Sequence, residues 1–86
     1  MPIISRFFGI IIRMFFNEHA PPHFHAEYGE YRVVVDINTL EAIEGHFPRR
    51  ALELVLDWAE LHQKELLQDW SLCQQHQQPT EIEPLE

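Results

Sequence analysis

The hydrophobic period of this chain changes once, at Gly45, and that change limits the folds open to it. Before Gly45, apolar residues form continuous or alternating runs rich in isoleucine, valine and phenylalanine, a pattern typical of β-strands. After Pro48, helix-forming residues continue to Gln75 without a glycine or another proline. The sequence therefore predicts an α+β domain in which a sheet is followed by helix.

The first half predicts four strands in an antiparallel meander. The run from Ile3 to Phe16 is apolar on both faces, so we expect a single strand at the centre of the sheet. Gly29-Glu30 has the form of a two-residue hairpin turn, and Asn38-Thr39 marks a second turn. The expected strands cover residues 3–16, 23–28, 31–37 and 40–45.

One long C-terminal helix completes the predicted ββββα order. A helix over residues 48–75 would be roughly 42 Å long, whereas a domain of this size is about 30 Å across. Either the helix breaks near His62-Gln63 or its distal end projects. Its apolar arc is wider than one sheet face needs, which favours a second burial partner. We expect one domain over residues 1–76 and an acidic, mobile tail over residues 77–86.

A single cysteine and the lack of a long apolar segment narrow the classes of protein. Cys73 alone cannot form an internal disulfide, which fits a reducing cytosol. The most apolar run, Phe7–Ile12, is far shorter than the roughly 18 residues needed to span a bilayer. We expect a cytoplasmic protein that does not enter a membrane.

The net charge of −8 is unevenly distributed along the 86 residues. Residues 1–35 carry three arginines, three glutamates and three histidines, whereas residues 36–86 carry the whole net charge. Broad affinity for duplex DNA is not expected, because DNA binding needs an excess of lysine and arginine. The distribution still permits a small anion-binding pocket.

Three histidines surround a Pro-Pro pair in the stretch NEHAPPHFHAEYG, residues 17–29. Strand alternation places His23, His25 and Glu27 on one face. With His19 from the loop, they have the ligand types of a zinc site, so a divalent metal is one candidate cofactor. Alternatively, His23 and His25 act as acid and base without a cofactor, because imidazoles titrate close to neutral pH. Solvent-exposed histidines without a chemical role are the third interpretation.

Arg13 is a candidate catalytic cation. It lies in an apolar strand close to the histidines in sequence, and a guanidinium can stabilise charge that develops on a phosphate. The alternative is a structural ion pair with Asp36 or Glu27, since an unpaired guanidinium would be costly there.

Arg49 and Arg50 break a local rule of helix composition. They lie in the first helical turn, where the macrodipole disfavours positive charge. With His46 just before the helix, they are predicted to bind a phosphate or carboxylate. The alternative is salt bridging to glutamates at Glu53, Glu41 or Glu44.

The segments PIISRFFGIIIRMFF, NEHAPPHFHAEYGEY and GHFPRRALELVLDWAELHQKELLQDW, which together run from Pro2 to Trp70, resemble a small bacterial family catalogued as domain of unknown function 4160. Many of its members carry a lysine and a leucine before P-R-R, where this chain has His46 and Phe47. The resemblance implies a neighbouring gene for another uncharacterised family and a suspected toxin–antitoxin pair. It implies no catalytic residues.

Two hypotheses of function follow. In the first, the protein is the toxin-like component of the module, with the encoded neighbour as cognate partner, and acts on RNA. His23 and His25 would be the acid and base, and Arg49 and Arg50, with Arg13, would hold the phosphate. In the second, it is a non-enzymatic module that dimerises or binds a partner, and its histidines are structural or hold a metal.

Overall fold

The computed structural model describes residues 2–86. Five strands form one antiparallel sheet in chain order, and two helices follow. The α+β class with an antiparallel sheet followed by helices is confirmed, but the predicted four strands and single long helix are wrong. The elements are β1 (Ile3–Phe7), β2 (Ile10–Arg13), β3 (His23–Tyr28), β4 (Tyr31–Asp36), β5 (Ala42–His46), α1 (Arg49–Leu61) and α2 (Gln63–Gln74).

A tight turn divides the first apolar run into β1 and β2. Phe7 pairs with Ile10, and the two residues between them have positive φ, 50° at Phe8 and 79° at Gly9. Glycine adopts this conformation without a steric penalty, so Gly9 permits the turn. As a result β1 is an edge strand and β3 occupies the centre of the sheet.

The predicted helix breaks at His62. A break here was one of the two alternatives given for a helix longer than the domain, the other being a distal end that projects. His62 has φ −120° and ψ 24°, outside the helical region, and its N–H donates to the carbonyls of Trp58 and Ala59. The side chain of Gln63 donates to the carbonyl of Ile37 at 2.7 Å, which fixes the start of α2 beside the sheet. The break keeps the molecule within 33 Å. Within residues 2–86, neither helix has the length and apolar character needed to cross a bilayer.

One hydrophobic core lies between the sheet and the helices. Trp58 of α1 is fully buried, and its ring lies 5.4 Å from that of Phe7 and 5.7 Å from that of Phe24. Phe24 and Ala26 of β3 face this core. The alternate side chains of the strands therefore form a second surface, the polar sheet face, which carries Arg13, His25, Glu27, Arg32 and His46.

The two edges of the sheet differ. β5 is exposed along its whole length. Beside β1, the C-terminal segment donates the N–H of Ile82 to the carbonyl of Ile4 at 2.7 Å, and Trp58 Nε1 donates to the carbonyl of Glu83 at 2.8 Å. These contacts do not measure motion, so the boundary between residues 1–76 and a mobile tail at 77–86 stays a prediction.

Candidate functional site

Three potential ligand atoms converge where the β2–β3 loop meets the start of β3. Glu18 Oε1 lies 3.1 Å from His23 Nε2 and 2.8 Å from His25 Nε2. The three ligand atoms all lie within 4.8 Å of one another. His23 and His25 are two positions apart on one strand and so project to the same side. We call these three residues the Glu18 cluster.

The loop that carries Glu18 is held at both ends. The N–H of Asn17 donates to the carbonyl of Cys73 in α2 at 3.3 Å, and Asn17 itself has a positive φ of 57°. At the other end, the carbonyl of Pro22 accepts the N–H of Ile37 at 2.9 Å. These backbone contacts bring the loop back over β3, and Glu18 reaches both histidines.

Aromatic side chains pack against the two imidazoles. The ring of Trp70 lies 5.1 Å from that of His23, and the ring of Phe15 lies 4.5 Å from that of His25, edge to face. The His23 side chain is only 11% exposed, whereas those of His25 and Glu18 are 25% and 28% exposed. The cluster is therefore oriented by packing on the His23 side and accessible to solvent on the His25 side.

The hydrogen-bond partners of His23 determine where its protons lie. Nδ1 lies 2.7 Å from the carbonyl oxygen of Pro21, which can only accept, so Nδ1 carries a hydrogen. In a neutral ring, Nε2 then has a lone pair directed at Glu18 Oε1, which is also an acceptor. Two acceptors 3.1 Å apart need a proton on one of them or another cation between them.

The structure brings together only part of the predicted ligand set. His19 is exposed and lies outside the cluster, and Glu27 forms an ion pair with Arg13 at 3.1 Å instead. Glu18 was missed because strand alternation gives no direction for a loop side chain. The available signal was an acidic residue five positions before His23 in a loop whose prolines restrict its path.

Arg13 and Arg32 flank the cluster on the polar sheet face. Arg13 lies opposite His25 in the register of β2 and β3 and forms an ion pair with Glu27, one of the two partners expected for it, while a catalytic role of this arginine stays a prediction. Arg32 lies opposite both Glu27 and His46. Within the described chain its side chain forms no ion pair, and with His25 and Glu44 it lines a shallow depression of about 260 Å³.

Arg49 and Arg50 lie away from the histidines. Both pair with Glu53, at 3.9 Å and 3.4 Å, and their side chains are 94% and 81% exposed. Arg50 lines a depression with Tyr28, which is the last residue of β3. His23 is the first residue of that strand. Five residue steps along a strand span about 17 Å. The structure thus does not bring these arginines to the imidazoles.

Two buried ionisable groups on α2 lie near the loop. Burial raises the pKa of Asp69 to about 6, with a smaller raising effect from Glu65, while the hydrogen bond from the Thr80 N–H lowers it. Burial also raises the pKa of the Cys73 thiol, and the nearby carboxylates of Asp69 and Glu18 add to this. A buried thiol of raised pKa is a poor nucleophile, so Cys73 belongs to the core.

Comparison with known proteins identifies the family. Searches of curated proteins and of solved structures gave no match. The family model described as Domain of unknown function (DUF4160) matches residues 9–71, which include the Glu18 cluster, β2 to β5 and most of both helices. The resemblance noted from the sequence segments is confirmed, and this chain belongs to that family.

Proposed function

We propose that this protein acts on RNA in the cytoplasm as the toxin-like member of a two-protein module, with its chemistry at the Glu18 cluster. The observation that supports the proposal is the meeting of two imidazole Nε2 atoms beside a sheet face that carries arginines. Cleavage of RNA through its 2′-hydroxyl needs a base, an acid and a cation near the phosphate. The cluster and its neighbours include all three types of group.

The hydrogen bonds suggest the roles of the two histidines. His23 Nδ1 donates to Pro21, so its Nε2 lone pair is the base that takes the 2′-hydroxyl proton once Glu18 moves aside. His25 Nε2 donates to Glu18 at 2.8 Å, and in its protonated form it is the acid that gives a proton to the departing 5′-oxygen. The attacking 2′-oxygen forms a bond to phosphorus as the bond to the 5′-oxygen breaks.

Arg32 is the guanidinium best suited to hold the phosphate. It is exposed, it forms no ion pair within residues 2–86, and it lines the same depression as His25. Arg13 lies closer to His25 in register but forms an ion pair with Glu27. Arg49 and Arg50 take no part in this proposal, because they pair with Glu53 at the other end of β3.

Growth arrest on expression tests the proposal, together with cleavage of labelled RNA by the purified protein. We expect His23→Ala and His25→Ala to abolish both effects and Arg32→Gln to reduce cleavage at least tenfold. His19→Ala is the matched control, since His19 is an exposed histidine of the same loop outside the cluster. If both cluster variants stay fully active while folded, or the wild type leaves RNA intact, the proposal fails.

A second candidate function is a protein-interaction module. Phe8 is 59% exposed, and with Tyr28, Leu54 and the stem of Arg50 it lines a mostly apolar depression at the end of the molecule opposite the histidines. Exposed apolar surface of this kind is typical of interfaces. Light scattering alone and with the product of the adjacent gene tests it: a dimer or complex that Phe8→Ser disrupts would support this candidate, and a monomer with no affinity for that product would refute it.

A further inference from the structure

We propose that Glu18, His23 and His25 form a site for one divalent transition-metal ion of the zinc class. The ligands would be His23 Nε2, His25 Nε2 and one carboxylate oxygen of Glu18. This inference goes beyond the proposed function: the ion would occupy both Nε2 atoms, so the acid and base roles of His23 and His25 belong to the metal-free cluster.

The first argument is the contact between His23 Nε2 and Glu18 Oε1. His23 Nε2 and Glu18 Oε1 face each other at 3.1 Å, and the bond from Nδ1 to Pro21 leaves a neutral His23 with no hydrogen at Nε2. A largely buried lone pair that faces a carboxylate is unfavourable unless a proton or a metal ion lies between them. A metal ion supplies that charge and uses both lone pairs.

The second argument is the kind of ligand. Two imidazoles and one carboxylate suit zinc and its transition-metal neighbours, whereas magnesium and calcium prefer oxygen ligands alone. Three protein ligands also leave at least one position for water or substrate. The exposed side of the cluster, at His25 and Glu18, is where that position would open to solvent.

The third argument is that the ligands are already close to binding geometry. Metal–ligand bonds of about 2.1 Å in a tetrahedral site separate neighbouring ligand atoms by about 3.4 Å. The two nitrogen–oxygen separations here are 3.1 Å and 2.8 Å, so the glutamate needs to withdraw by roughly half an ångström. The two imidazole nitrogens lie within 4.8 Å of each other, and any separation above the tetrahedral value has to close as the ion binds. His23 also has the outer contact common to metal-bound histidines, since its other ring nitrogen donates to a backbone carbonyl.

Metal binding is measured directly on the tag-free full chain. Titration calorimetry with zinc chloride should show one site per chain. His23→Ala, His25→Ala and Glu18→Gln should each weaken binding at least tenfold, while His19→Ala and Glu27→Gln, which lie outside the cluster, should bind as the wild type does. Cobalt chloride should give visible absorption with the wild type, and the three substitutions within the cluster should remove it.

Nuclear magnetic resonance of the wild type keeps the proposal testable if a variant misfolds. Zinc should shift the ring signals of His23 and His25 and leave those of His19 and His76 unchanged. The proposal is overturned if zinc does not bind, if it binds the Glu18→Gln and His23→Ala variants as tightly as the wild type, or if the ring signals of other histidines shift instead. Binding is measured without RNA. A protein that binds zinc but does not cleave RNA would therefore refute only the proposed function, and a protein that cleaves RNA without binding zinc would refute only the metal site.

Discussion

The pH dependence of stability should report the burial of Asp69. Its side chain is 1% exposed, Oδ1 accepts the Thr80 N–H at 2.8 Å, and Oδ2 has no partner within residues 2–86. Burial raises the pKa from its usual 3.8 to about 6. Between these pH values the folded state keeps a proton that the unfolded state releases. This contribution to stability is therefore complete below about pH 4 and is lost as the pH rises through 6.

The magnitude follows from the size of the shift. About two pKa units correspond to a loss of up to about 3 kcal/mol across this range. Asp69→Asn removes the titration but keeps an oxygen for the Thr80 N–H. In urea denaturation followed by tryptophan fluorescence, its stability relative to wild type should rise by up to about 3 kcal/mol from pH 4 to pH 7. Asp57→Asn, at an exposed position of α1, should show no such change. A constant difference between Asp69→Asn and wild type at every pH would refute the reasoning.

Three further predictions test the packing. Gly45→Ala should lower the free energy of unfolding in urea by roughly 1–3 kcal/mol, because φ is +90° and a Cβ would clash with the Arg32 carbonyl oxygen; an unchanged midpoint would contradict this. Cys73 should react with a thiol reagent only after denaturation, since it is fully buried and the pKa of its thiol is raised; fast reaction of the native protein would be the opposite result. Ile82→Ala should destabilise the protein by about 2 kcal/mol, because Ile82 is 4% exposed. An unchanged free energy of unfolding would instead indicate that residues 77–86 are mobile, and limited proteolysis tests the same point.

The sequence predicted the β3–β4 hairpin well, but it wrongly placed the run over residues 3–16 at the centre of the sheet, which β3 occupies. Alternation in HFHAEY correctly separated the histidines from Phe24 and Ala26, which the structure places in the core. The Gly29-Glu30 hairpin is confirmed by the pairing of Tyr28 with Tyr31. These features are local, and the period of two makes them readable without tertiary information.

The first hairpin and the full site could not be predicted in the same way. Continuous apolarity across residues 3–16 hid the turn, because Phe8 takes a positive φ that bulky residues rarely adopt and only Gly9 signalled a change of direction. Glu18 owes its position to backbone contacts with α2 and with residue 37, which no sequence period encodes. Arg49 and Arg50 break the helix-dipole preference, and both pair with Glu53 on the same helix, which is the alternative given for them; anion binding by these arginines stays a prediction.

The difference between the two edges of the sheet has a consequence for self-association. A second copy can add by strand pairing only where backbone groups are available, and along β1 the C-terminal segment already takes the carbonyl of Ile4 and presents Pro84, which has no N–H to donate. Growth through β5 alone ends with two molecules, whereas two available borders would allow a fibre to extend without limit. We therefore expect a second copy to add by strand pairing at β5 and not at β1.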